Sequence, residues 1–191
     1  CFGSLCESDY SSVTIDDHQT AFRAVEHLIA LGHRRIAALV PSRSDRSISE
    51  LRYKGYCDAL RAHGIEPDET LVMETGGCFE MPETYSGMCR LLDRGAPFTA
   101  VFTLSDTTGI AAMKALSDRG LRVPEDVSVI AIDGLPVSEY VTPTLTTMTQ
   151  PADEMGRESV RILLGILENG AQTRHVRLEA RLREGASVRK L

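Results

Sequence analysis

No run of about 18 apolar residues occurs in this chain, which argues against a membrane-spanning helix. No signal peptide is visible at its start. The chain also opens without a methionine, in what reads as the tail of a strand, so a fragment boundary is expected there. Basic excess is lacking. Lys and Arg number 21 against 27 Asp and Glu, for a net charge of −6. Such a surface does not suit a phosphate backbone, so this stretch alone is expected to bind DNA poorly. Cysteines are few: Cys1, Cys6, Cys57, Cys78 and Cys89. An odd set without metal-like CxxC spacing points to reduced thiols in a cytosolic protein. Cys1 has a sharper alternative, the lipidated start of an exported binding protein, but acylation needs a preceding lipobox that is not shown.

Catalytic signatures are missing as well. The sequence holds no GxSxG, no Walker loop, no GxGxxG and no HExxH. Histidines 18, 27, 33, 63 and 175 fall in helical, helix-terminal or strand contexts without metal-ligand spacing. His33, just after Gly32, reads as a helix-finishing residue. Asp16-Asp17 is a carboxylate pair, but adjacent acids usually cap a helix, and Asp17 reads as that cap. No catalytic residue, metal or cofactor is expected. Neither a repeat nor a low-complexity tract is seen.

What is present is regular alternation of strand and helix. With 191 residues and 42% hydrophobic content, the chain can build a real core in one domain or two small lobes. Val13 to Ile15 reads as a short strand. A helix follows, with Phe22, Val25, Leu28 and Ile29 on its apolar side, and Gly32 ends it. Strands are expected at Arg35–Val40, Thr70–Glu74, Thr99–Leu104 and Val127–Ile132. Between them, helices are expected from about Ser49 to His63, from Pro82 to Leu92, and from Ser105 or Asp106 to near Arg119. Strands this apolar, recurring at βαβ spacing, imply a parallel sheet with helices on both faces. Pro143 and Pro151 then bracket an extended segment. A helix from Ala152 to Glu168 follows, and an edge strand over Val176–Leu182.

In an open parallel sheet, ligands bind beyond the carboxyl ends of the strands. Each such end here carries a polar or aromatic group. Ser42-Arg43-Ser44-Asp45-Arg46 follows one strand, with Arg52 in the next helix. Phe79 follows another, Ser105 and Asp106 a third, and Asp133 closes the last. Charged forks with an aromatic face suit a polyhydroxylated ligand. Plainer roles exist for each: solvated charge for Arg43, Arg46 and Arg52, helix cap for Ser105 and Asp106, core packing for Phe79. Asp133 has no obvious local capping role. Removing Arg52 or Asp133 is expected to leave the fold intact, since neither need join the apolar core.

Several long motifs resemble the LacI/GalR family of transcriptional regulators. They are Glu26-His27-Leu28-Ile29-Ala30-Leu31-Gly32-His33-Arg34-Arg35-Ile36-Ala37, Arg52-Tyr53-Lys54-Gly55-Tyr56, Pro97 to Phe102, Gly120 to Ile130, and Tyr140-Val141-Thr142-Pro143-Thr144-Leu145-Thr146-Thr147. The resemblance implies a two-lobed, periplasmic-binding-protein-like fold of type I with a ligand cleft between the lobes. It implies a C-terminal lobe that is complete here, without the helix-turn-helix headpiece or most of the N-terminal lobe. The expected segmentation is 1–20 as a remnant of the N-terminal lobe, 21–143 as the C-terminal lobe, 144–170 as crossover and N-terminal-lobe helix, and 171–191 as a strand returning to the C-terminal lobe.

By the same resemblance, Arg52 and Asp133 fall on effector-binding positions. Phe79 falls on an aromatic that packs against ligand, and Arg46 and Ile48 fall on ligand-facing loop positions. Ser105 stands where many members have Asn, and Gly134 where many have Asp or Asn, which bears on effector identity. The implied protein is a cytoplasmic, homodimeric repressor whose sugar-like effector controls operator binding. Ile110, Met113 and Val137 are the candidate dimer contacts. The alternative is an exported sugar-binding protein of a transporter. The odd cysteine count and the Gly120-to-Ile132 motif favour the regulator, and an enzyme is the distant third reading.

Overall fold

The computed structural model describes residues 10–41, 48–76, 79–169 and 172–191. A parallel sheet forms where short apolar strands leave no room for water on either face. Its strands are β2 (Ile36–Val40), β3 (Val72–Glu74), β4 (Ala100–Thr103), β5 (Ser128–Asp133) and β6 (Thr146–Thr149), with β8 (Arg181–Arg183) at one edge. Their spatial order is β3-β2-β4-β5-β6-β8, parallel throughout except for β8, which runs antiparallel to β6. The elements α1 (Asp17–Ala30), α2 (Ile48–Ala62), α3 (Met81–Asp93) and α4 (Asp106–Asp118) supply the helical cover.

Strand alternation divides the core in two. Ile36, Ala38, Phe102, Ile130 and Ile132 face the side of α1 and α2, with Leu28 and Tyr56. Leu39, Val101, Val129 and Ala131 face the side of α3 and α4, with Met88, Leu91 and Leu116. Tyr56 stacks on Phe102 at 6.0 Å between centroids, and its buried hydroxyl donates to the Ile36 carbonyl at 2.8 Å. That bond satisfies a polar tip that burial would otherwise penalise.

A second, smaller sheet pairs β1 (Ser12–Ile15) in parallel with β7 (His175–Leu178). Here the sequence expectation needs correction. Val176–Leu182 is not one edge strand but two, β7 and β8, separated at Glu179-Ala180 and lying in different sheets. Alternation continues across the gap, so pattern alone cannot show that the chain changes partners. The helix α5 (Ala152–Asn169) buries Met155 and Ile162 in the α1–α2 core cluster and packs on β1.

Two further details differ from the sequence expectation. Asp16, not Asp17, caps α1: its backbone is extended and its carboxylate accepts from the Gln19 amide at 3.0 Å. Thr70 and Leu71 lie in a 3-10 turn, Glu69–Leu71, capped by Asp68, so β3 starts only at Val72. Ser105 does cap α4, in a reciprocal arrangement with Thr108. His33 does more than finish α1. It is fully buried, with Nδ1 at 2.9 Å from Thr99 Oγ1 and Nε2 at 3.0 Å from the Arg189 carbonyl, which fastens the C-terminal tail.

Candidate functional site

Strand order locates the site. The chain passes from β2 outward to β3, then returns to the other side of β2 for β4. At such a reversal of strand order a crevice opens beyond the carboxyl ends of β2 and β4. That crevice, about 300 Å³, is lined by Arg52 and Ile48 from α2, Phe79 before α3, Ser105 and Thr107 at the start of α4, Asp133 closing β5, and Gln150 just past β6. From the end of β1 come Ile15 and, two residues further on at the start of α1, Asp17.

Arg52 is the hub. It is 4% exposed. Its Nε donates to Asp17 Oδ1 at 2.8 Å, and its Nη1 donates to the Leu104 carbonyl and, at 3.3 Å, to Asp133 Oδ1. The guanidinium also lies 6.0 Å from the Phe79 ring centroid, within reach of a cation–π contact. Asp133 Oδ1 accepts from Gln150 Nε2 at 2.8 Å as well. Burial pushes both Asp17 and Asp133 up from the usual carboxylate range, while the Arg52 charge pulls each back down.

The backbone is constrained at the same place. Asp133 has φ 132° and Phe79 φ 49°, conformations that side-chain-bearing residues adopt at a cost. Each is held by neighbours. Thr107 Oγ1 donates to the Phe79 carbonyl at 3.2 Å, and the Gln150 amide donates to the Asp133 carbonyl at 3.0 Å. Behind them Asp106, fully buried, accepts from the Leu135 amide at 2.6 Å and from the Thr147 hydroxyl, which pins the turn after Asp133. Burial raises the Asp106 pKa, chiefly by desolvation.

The structure thus brings Arg52, Asp133, Phe79, Ser105 and Ile48 to one crevice. Arg46, like Arg43, lies outside the described residues. Asp17, Gln150 and Thr107 were not anticipated there. Asp17 was visible in principle, because two adjacent acids cannot both cap one helix. Gln150 would have followed from the strand-end argument had β6 been counted in the parallel sheet. The expectation that Arg52 is dispensable to the fold needs revising too. Its removal would strand the buried Asp17 carboxylate and the half-buried Asp133 carboxylate, whereas removing the half-buried Asp133 costs less.

Ile110 and Met113 fall elsewhere. They line a groove of about 630 Å³ along α4, with Leu121, Val123 and Val141. Met113 is buried, 7% exposed, while Val137, 46% exposed on the Pro136–Glu139 turn, is not among the residues lining the groove. Among the described residues, no three His, Cys, Asp or Glu side chains are grouped to hold a metal.

Comparison with known proteins agrees with this architecture. A family model, periplasmic binding protein-like domain, matches residues 25–188. The HTH-type transcriptional regulator CelR of Thermobifida fusca is 41% identical over 172 residues, spanning 90% of this chain and 49% of that protein. AscG of Escherichia coli K12, also an HTH-type regulator, is 41% identical over 166 residues, spanning 87% of this chain and 48% of its own. Among solved structures, a CelR–cellobiose complex superposes with a TM-score of 0.87 at 38% identity, covering 96% of this chain and 55% of that one. A LacI-family regulator from Enterococcus faecium with bound ribose gives 0.87 at 29% identity, with coverage of 98% and 68%. The chain spans about half the length of the curated relatives it matches. It belongs to the LacI/GalR family of transcriptional regulators, and its fold is that family's periplasmic-binding-protein-like effector domain.

Proposed function

We propose that the crevice around Arg52 receives a sugar or a related polyhydroxylated metabolite, and that this binding sets the operator affinity of a cytoplasmic repressor. The observation that carries the proposal is convergence. Arg52, Phe79, Ser105, Asp133 and Gln150 come from separate segments and meet in one crevice at the switch point. Charged groups there can fork onto hydroxyl pairs while the Phe79 ring packs on ring C–H groups. The cellobiose and ribose of the two related structures support a sugar-like ligand. Arg46, two residues before α2 in the sequence, is a further candidate contact.

Operator binding would fall to a helix-turn-helix, the element that the relatives' names carry. The effector would act by unequal affinity for DNA-competent and DNA-incompetent arrangements of the lobes. No catalytic step is assigned to any residue. Two copies are proposed to associate through α4 and the Pro136–Glu139 turn, using Ile110, Met113 and Val137. Sedimentation of the intact effector domain should then show a dimer, and Val137→Glu should weaken it. A monomer at roughly tens of micromolar would reject this surface.

The test of the site is Asp133→Ala in the full-length protein. Calorimetry should show effector binding weakened by roughly 2–4 kcal/mol, because the partner groups lose a charged, partly buried contact. Operator binding should persist without effector response. Unchanged affinity and unchanged response would place the effector site elsewhere.

A further inference from the structure

We propose that Asp17 is a specificity-determining member of the effector site: by sharing Arg52 with Asp133, it makes that guanidinium a fork for uncharged hydroxyls instead of an anion receptor. The effector therefore presents a neutral hydroxylated edge to Arg52, and sugars carrying an anionic group at that edge are rejected. This rests on the reading of the crevice as the effector site.

An arginine in a cleft ordinarily invites a carboxylate or phosphate, because its planar fork matches two anionic oxygens. Here two carboxylates of the protein hold that role. The Arg52 side chain is 5% exposed, that of Asp17 9%, and that of Asp133 23%. Two anions thus surround one cation in a largely dehydrated corner. Asp106, buried behind them, adds a further negative field at Asp133. A third anion at this corner would meet like charge in a medium that screens it poorly, and would lose its own hydration on entry.

A hydroxyl fits where an anion does not. Of the five guanidinium N–H groups, Nε serves Asp17, and Nη1 serves Leu104 and Asp133. No described residue accepts from Nη2, and none donates to Oδ2 of Asp17 or of Asp133. These atoms are one donor set and two acceptors around one crevice. A sugar hydroxyl both donates and accepts, so neighbouring hydroxyls can satisfy them without adding charge.

The experiment pairs neutral sugars with their uronic acids, which differ by one CH₂OH-to-carboxylate change: glucose with glucuronate, galactose with galacturonate, and cellobiose with its uronic acid. Binding to the full-length protein is measured by calorimetry. The sugar that binds should do so about 100-fold more tightly than its acid, the scale of an unfavourable like-charge contact. Asp17→Asn keeps an oxygen for Arg52 Nε but removes one charge, so the gap should narrow to roughly 10-fold or less. If Asp17 only oriented Arg52, that isosteric change would leave the ratio where it was. An acid that binds as tightly as its neutral partner overturns the charge assignment while the sugar-site reading stands. An unchanged ratio in a folded Asp17→Asn protein, with folding checked by thermal melting, overturns the role of Asp17. If neither member of any pair binds, the sugar reading fails and this proposal falls with it.

Discussion

The two sheets are built to different standards of cover. In the six-stranded sheet, both faces lie under helices, and Phe102, Ile130 and Val129 are fully buried. In the β1–β7 pair, β7 alternates exposed and half-buried residues, and the neighbouring α5 leaves Val160 57%, Leu163 54% and Leu167 72% exposed. Side chains of similar apolarity thus contribute very differently. A residue in the large sheet is held by packing on all sides, as are Val13 and Ile15 of β1, while one on β7 relies on a few contacts. The site draws most of its groups from the well-covered side and only Ile15 and Asp17 from the junction with the other. Positional precision therefore resides in the large sheet.

The largest expected effects test that contrast directly. Phe102→Ala should cost roughly 3–5 kcal/mol in denaturant unfolding, because it opens a cavity against Tyr56. Val176→Ala on β7 should cost under about 1 kcal/mol. Comparable losses at the two positions would erase the distinction between the sheets. Arg52→Ala belongs with Phe102, at roughly 3–5 kcal/mol, since it leaves Asp17 and Asp133 without their cation. Gly55→Ala comes next. A Cβ there would lie 2.2 Å from the His18 carbonyl oxygen, so α1 and α2 must separate. A loss of roughly 1–3 kcal/mol, read from the melting transition, is expected.

A smaller effect concerns pH. Burial lowers the His33 pKa, so the folded protein binds fewer protons at this ring than the unfolded chain does. The stability from neutral His33 is therefore intact above the ordinary histidine range. It falls as pH drops through about 6.5 and below. The loss should be confined to the large sheet's side, where His33 ties Thr99 to the tail. His33→Gln should flatten this part of the pH dependence of melting; an identical profile in the variant would exclude His33 as the source. The smallest expected change in folding is that of Leu163→Glu with Leu167→Glu, within about 0.5 kcal/mol. The same pair should reduce self-association of this chain in sedimentation, because it removes exposed apolar surface.

Much of the large sheet was legible because apolar strands bounded by capping residues recur at βαβ spacing. Arg52, Phe79, Ser105 and Asp133 were legible for a related reason: topology, not chemistry, decides where a crevice opens. What was not legible depended on pairing. The break at Glu179-Ala180 carries no sequence mark, since β7 and β8 share one alternating pattern while pairing with β1 and β6. Asp17 was misread because capping and ion pairing favour the same residue type, and only the location of Arg52 separates them. The buried role of Asp106 was hidden likewise, because its partners Leu135 and Thr147 are distant in sequence.

Gly134 links two positions that sequence keeps apart. Its φ is +77°, and any Cβ added there would lie 2.5 to 2.6 Å from the Cγ2, Oγ1 and Cβ atoms of Thr149. Because the Thr149 Cβ itself is among the obstructing atoms, trimming that side chain to alanine would not clear the space. An acid or amide at position 134 therefore cannot be gained by one neutral step. The order of substitutions is constrained: position 149 must lose its side chain, or the β5 and β6 ends must part, before position 134 can acquire one. The second carboxylate or amide that Gly134 forgoes is thus withheld by its neighbour on β6, and recruiting a new effector contact through this position requires a prior change at Thr149 or in the spacing of the two strand ends.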